Sequence, residues 1–177
     1  MFDRVGGEAA PEHGRRMTRT KPSSITDARR GARLAAVQAL YQMEISGGGV
    51  KSTVREYLDH RLGEDSETGP LETADVDFFR ALVEGVVEEQ ALIDASIKLR
   101  LAKGWRLDRI DSIVRAAVRV ATFELLRRAD VPVAVVIDEY VGIVNAFFDG
   151  PEGGFTNGLL DRLARELNAN DFRQLTS

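Results

Sequence analysis

Seven cations (Arg15, Arg16, Arg19, Lys21, Arg29, Arg30 and Arg33) crowd into residues 13–33 against one anion, Asp27. The local charge is +6 in a chain whose total is −4. Residues 1–12 sum to −2 and residues 34–177 to −8. A guanidinium is a planar fork of donors that matches phosphate oxygens, so such a cluster points to polyanion binding. Arg29, Arg30 and Arg33 fall in the first turns of a predicted helix. There the helix dipole disfavours positive charge by roughly 0.3–1 kcal/mol each. A sequence that places cations where anions would stabilise is locally inconsistent, and such inconsistency often marks function. Arg29 and Arg33 are four apart and share a helix face, while Arg30 lies about 100° around. With Arg19 and Lys21 on the lead-in, the set can follow a polyanion backbone. The plain alternative is a solvated charged face. In an otherwise acidic chain, binding would be localised and would not coat nucleic acid at random. The segment has no apolar face to insert, so a membrane surface is the poorer partner.

Other candidate chemistry is weaker. Glu88-Glu89, Asp138-Glu139 and Asp108/Asp111 are paired acids, but neighbours on a helix diverge by about 100° and do not converge as an acid–base pair. The run Gly150-Pro-Glu-Gly-Gly-Phe-Thr-Asn-Gly lacks the Gly-Lys-Ser/Thr ending of a phosphate loop, so nucleotide hydrolysis is disfavoured. Free amides at a following helix start could still meet a phosphate. Phe155 is either a hydrophobic staple or an exposed platform for a base. Tyr41 belongs to an apolar stripe, with a hydroxyl able to reach the surface below the arginines. Trp105, after Gly104 at a helix junction, reads as a packing anchor.

The chain has no cysteine and two histidines, His13 and His60. That leaves no disulfide, thiol nucleophile or cysteine zinc site. No catalytic residue, metal ligand or cofactor site is assigned. No uncharged run exceeds the ten residues Leu34–Met43, too short to span a bilayer, and no early apolar stretch resembles a signal peptide. The expectation is a soluble, cytoplasmic protein.

The elements that must hold these residues are helical. Residues 1–22 are polar and aperiodic and read as a disordered basic tail. Leu34, Val37, Leu40, Tyr41 and Ile45 keep helical spacing. Val50, Val54, Tyr57, Leu58 and Leu62 follow after Gly47-Gly48-Gly49, and residues 63–70 form an acidic loop. A strong stripe (Phe79, Leu82, Val83, Val86, Gln90, Ile93, Ile97) starts near Thr73 as cap and breaks near Glu88–Glu89. Residues Leu107–Arg128 read as one helix. Pro132 opens another, despite the strand-like valines of Val131–Ile137. Leu159, Leu160, Leu163 and Leu167 define a last helix capped by Thr156 or Asn157. Six or seven helices with short links make an all-α bundle.

Three stretches in this order resemble the NusB family of bacterial transcription antitermination factors. They are Ala28–Gln42, with its arginines and Tyr41; Ile110–Leu126 with the following Asp130-Val-Pro and Ile137-Asp-Glu; and Phe155-Thr-Asn-Gly-Leu-Leu-Asp. Residues Asp75–Val86 also fit. The resemblance implies two packed three-helix units over residues 23–170. It implies an RNA-binding adaptor that joins the small-subunit ribosomal protein serving as NusE and binds single-stranded boxA RNA of ribosomal RNA operons. Other Nus factors and RNA polymerase complete the assembly, and a homodimer is possible within the family. By motif match, Arg29, Arg30 and Arg33 would contact RNA, with Arg19 or Lys21 standing in where Gly31 interrupts a longer arginine run. Phe155 and Asn157 would form a second RNA-facing segment, and Tyr41 is carried as an accompanying contact. The resemblance favours stacking for Phe155. Two rivals remain: a protein-only helical adaptor, and a NusB-like module assisting an RNA-modifying enzyme.

Overall fold

The computed structural model describes residues 25–62 and 73–175, with the side chains of the last helix described through Leu167. The expected tail, including Arg19 and Lys21, and the acidic loop of residues 63–70 lie outside the described residues. Among the described residues seven α-helices follow one another: α1 Ile25–Ser46, α2 Val50–His60, α3 Val76–Glu88, α4 Gln90–Arg100, α5 Ser112–Arg127, α6 Val133–Phe147 and α7 Glu152–Leu175. A 3-10 turn, Leu107–Arg109, precedes α5. There is no strand among the described residues.

Local chemistry sets the boundaries. Gly47 ends α1 in the left-handed region, at φ +69°, with its N–H donating back to the Met43 carbonyl at 2.9 Å. Glycine occupies that region without a Cβ penalty. At α3 the cap is Asp75, whose Oδ1 accepts from the Phe78 N–H at 3.0 Å. Thr73, the expected cap, lies two residues outside. The Asp75 N–H also donates to the Ala28 carbonyl at 2.9 Å, which ties the start of α3 to the start of α1. The chain breaks at Glu89, as the stripe implies.

Two helix starts differ from the sequence reading. Residues 107–111 carry helical periodicity, yet α5 begins only at Ser112. Asp111 caps it by accepting from the Ile113 and Val114 N–H groups. Leu107 and Ile110 are buried from the preceding turn all the same. Conversely, α7 begins at Glu152, before Thr156 and Asn157. Thr156 is an interior residue whose hydroxyl donates to the Glu152 carbonyl at 2.8 Å. The cause is close packing: a Cβ on Gly153 would lie 2.0 Å from Asn145 Oδ1 of α6. Gly153, which looks like loop in sequence, lets the first turn of α7 approach α6.

Helices α1, α2 and α3 pack on one another, as do α5, α6 and α7. The two units join through α1 and α3 against α5, with α4 set against α5 and α7. Both α1 and α5 bury alanines (Ala32, Ala35, Ala36 and Ala39; Ala116, Ala117 and Ala121), and small side chains allow a short interaxial distance. Arg33 meets Glu124 and Arg115 meets Glu44, so α1 and α5 run antiparallel. Phe79, Leu82, Ile93, Ile97, Tyr140, Leu160 and Leu163 fill the interior. One close approach fixes α3 against α5: a Cβ on Gly85 would fall 2.2 Å from the Phe123 ring.

Candidate nucleic-acid interface

The arginines of α1 part company once the helix is packed. Arg33 is 2% exposed. Its Nε and Nη2 donate to the two Glu124 oxygens at 2.8 and 3.0 Å. Tyr140 donates its hydroxyl to the same carboxylate at 2.5 Å. Burial opposes the charge on Arg33, but the hydrogen bonds and charge of Glu124 outweigh it and hold the pKa above the ordinary arginine value. Burial first, then the Glu124 carboxylate, push the Tyr140 hydroxyl well above its ordinary value. Arg33 therefore offers no donor to an outside phosphate. The expectation that it contacts RNA is corrected: it neutralises a core glutamate.

Arg30 faces outward, with its side chain 60% exposed. It leans on Glu139 through Nε and Nη2, at 3.0 to 3.3 Å. Those hydrogen bonds and the Glu139 charge raise its pKa. Arg29 is intermediate: Nη2 lies 3.7 Å from Asp130, and Nε is buried without a hydrogen-bond partner among the described residues. Asp130 is chelated by Arg128, and that hydrogen bond in the first place holds its carboxyl below the usual range. Arg29, Arg33 and Arg128 all place their guanidinium carbons 5.0–5.1 Å from the centre of the Phe78 ring, within cation–π reach. The cations at the unfavourable end of α1 are thus partly answered by Glu124, Asp130 and Glu139.

The other candidates lie elsewhere. Tyr41 is 37% exposed and lines a cavity of about 400 Å³ with Val37, Ile45, Tyr57, Arg61 and Phe147. It is a surface residue as well as part of the α1 stripe. Arg30 and Tyr41 are eleven residues apart on α1, about 16 Å, and within about 20° of one face. Phe155 is half-buried and stacks on Trp105, ring centres 5.2 Å apart at 26°. Trp105 is 56% exposed, so it is no packing anchor. Asn157 is exposed on α7. This aromatic pole lies toward the C-terminal end of α1, since Trp105 lines a groove with Glu44, Gly47 and Gly48. Along the helix axis Arg30 and Glu44 are about 21 Å apart. The structure brings Phe155 and Trp105 together and leaves the arginines at the opposite pole.

At least one acid of each candidate pair is engaged. Glu89 pairs with Arg127, Glu139 with Arg30, Asp108 with Arg106, and Asp111 caps α5. Among the described residues no cluster of three or more acidic, histidine or cysteine side chains could hold a metal. No helix among them is long and apolar enough to cross a membrane.

The profile of the NusB family matches residues 30–165. The chain belongs to the NusB family. It is 54% identical over 148 residues to the transcription antitermination protein NusB of Caulobacter vibrioides, spanning 84% of this chain and 95% of that protein. It is 53% identical over 144 residues to NusB of Maricaulis maris, covering 81% and 90% respectively. T. maritima NusB superposes with a TM-score of 0.66 at 32% identity, over 78% of this chain and 91% of that one. The same fold appears, at 23% identity and a TM-score of 0.65, in a crystal structure of antitermination factors NusB and NusE in complex with dsRNA, over 78% and 97% of the two chains. As a NusB-family member the chain is a transcription antitermination factor, not an enzyme.

Proposed function

We propose that this chain binds single-stranded boxA RNA of ribosomal RNA operons together with the small-subunit ribosomal protein that serves as NusE. In that assembly it helps RNA polymerase, with other Nus factors, to read through terminators in the cytoplasm. The observation that carries the proposal is the division of labour on the surface: an outward Arg30 with Arg29 at one pole, and Phe155 and exposed Asn157, both on α7, at the other. Arginines supply phosphate affinity and position, while base contacts supply sequence choice. Single-stranded RNA leaves bases free to stack on aromatic rings and to bond amide side chains. At about 3.4 Å per nucleotide of a stacked strand, the distance between the poles corresponds to roughly six nucleotides. Tyr41 lies on the way, on the Arg30 face of α1. No bond is made or broken, so nothing nucleophilic is required.

The test is titration of a boxA-like RNA and a scrambled RNA of equal length, at several salt concentrations, with and without the ribosomal protein. Tighter binding of the boxA-like strand, strengthened by the protein, is expected. Equal binding of both strands would remove the boxA assignment, and binding of neither would remove the RNA assignment. A complex with the ribosomal protein alone, indifferent to RNA, would leave a protein-only adaptor.

A further inference from the structure

The body of the chain is acidic, but its charge is uneven. Residues 98–109 carry Lys98, Arg100, Lys103, Arg106 and Arg109 against Asp108 alone. Arg100 is buried and bonded to Glu166, and Arg106 chelates Asp108 at 3.0 and 2.8 Å. Lys98, Lys103 and Arg109 are exposed and have no ion-pair partner among the described residues. In the middle of this segment stands Trp105, turned outward after Gly104, whose φ of +90° is a backbone state that side chains strain to adopt.

Trp105 has two faces. One rests on Phe155, which is half-buried against the core. Trp105 also borders a groove of about 1080 Å³, lined by Lys98 and Arg106 and not by Phe155, and it stays 56% exposed despite the stack. The acids of that groove are already committed: Glu44 to Arg115 and Arg119, Asp94 to Arg119, Asp108 to Arg106. What stays available is an aromatic face with a neighbouring lysine. Core-supported rings among unpaired cations are the arrangement that holds single-stranded nucleic acid.

We propose that Trp105 is a base-stacking residue: a nucleobase of single-stranded RNA lies on its open face, extending the stack that begins at Phe155. This rests on the RNA-binding reading above and lengthens the RNA path beyond Phe155 toward Lys98 and Lys103. The ribose-phosphate would run along the cation-bearing side of the segment, where unpaired ammonium and guanidinium groups neutralise it.

Trp105 is the single tryptophan of the chain, so its emission reports this site alone. The full-length protein is titrated with a boxA-like single-stranded oligoribonucleotide while tryptophan emission and the anisotropy of the labelled RNA are both recorded. The expected result is quenching that saturates together with anisotropy. Trp105→Ala should weaken binding about 5- to 150-fold while the thermal midpoint drops by only about 1–6 °C from the lost stack on Phe155, and Trp105→Phe should recover most of the affinity. Saturated RNA binding with unaltered emission, or Trp105→Ala binding within about twofold, overturns the stacking assignment and leaves the RNA reading intact. No RNA binding by the unaltered protein overturns both. An emission change produced by the ribosomal protein alone, with none from RNA, assigns the ring to protein docking and overturns it as well.

Discussion

Replacing Arg33 with alanine separates a structural role from an RNA contact. Arg33 is 2% exposed and makes two hydrogen bonds to Glu124, itself fully buried. Removing the cation strands a carboxylate in the core with Tyr140 as its remaining hydrogen-bond donor. Breaking a buried ion pair from one side costs about 3–5 kcal/mol, because the partner charge is left uncompensated. Of a total stability of about 5–15 kcal/mol, that is a large fraction. For a chain of this size each kcal/mol shifts the midpoint by about 2–4 °C, so Tm should fall by roughly 6–20 °C. Urea denaturation followed by circular dichroism measures the destabilisation. Adding Glu124→Gln to the variant should recover part of it, since the stranded charge goes. RNA affinity per folded molecule, and its salt dependence, should stay near the unaltered protein's. An Arg33→Ala protein within about 1 kcal/mol of the original, with a shallower salt slope, would refute the argument and return Arg33 to the RNA surface.

The two remaining arginines behave differently. Arg29→Ala with Arg30→Ala should reduce the slope of log affinity against log salt by about 1.4, at ~0.7 for each phosphate of a single strand that is no longer neutralised; an unchanged slope in an RNA titration removes them from the interface. Gly85→Ala should destabilise the fold by about 1–3 kcal/mol, an overpacking cost that exceeds alanine's helix preference, because the new methyl would meet the Phe123 ring; the urea midpoint checks it. Stability should fall as pH rises above about 10. The Tyr140 pKa is raised on folding, so the unfolded chain loses that proton first and the folded form keeps it. That contribution is therefore complete below the ordinary tyrosine value and fades as pH climbs toward the raised one. Tyr140→Phe should flatten this alkaline limb in a pH series of denaturation curves.

Helices are readable in the sequence because their apolar spacing is long and regular, as in the α3–α4 stripe with its break at Glu89. Pro132 opening α6 is readable too, since its missing N–H is harmless at a helix start. The beginning of α7 is not. Its Gly153 answers to Asn145 on another helix, and no local pattern announces a tertiary contact. The arginines show the same limit. Spacing puts Arg29 and Arg33 on one face and cannot say that this face turns inward, because Glu124 stands ninety-one residues away. Trp105 misleads for a related reason: large aromatic residues are usually buried, and only packing reveals that Phe155 already occupies one side of it. A signal is present in the lysine and arginines flanking it.

The ion pairs between α1 and α5 carry a further consequence. Along α1 the order is cation, Arg33, then anion, Glu44; along α5 it is cation, Arg115, then anion, Glu124. Identical polarity on two helices is complementary only when they run in opposite directions. A parallel arrangement would set Arg33 against Arg115 and Glu44 against Glu124, placing like charges together, with Arg33 and Glu124 in the core. The alanine surfaces of these helices would tolerate several alignments on shape alone. The charges act as a direction code that penalises the reversed topology, a safeguard against a wrong bundle that is as compact as the right one.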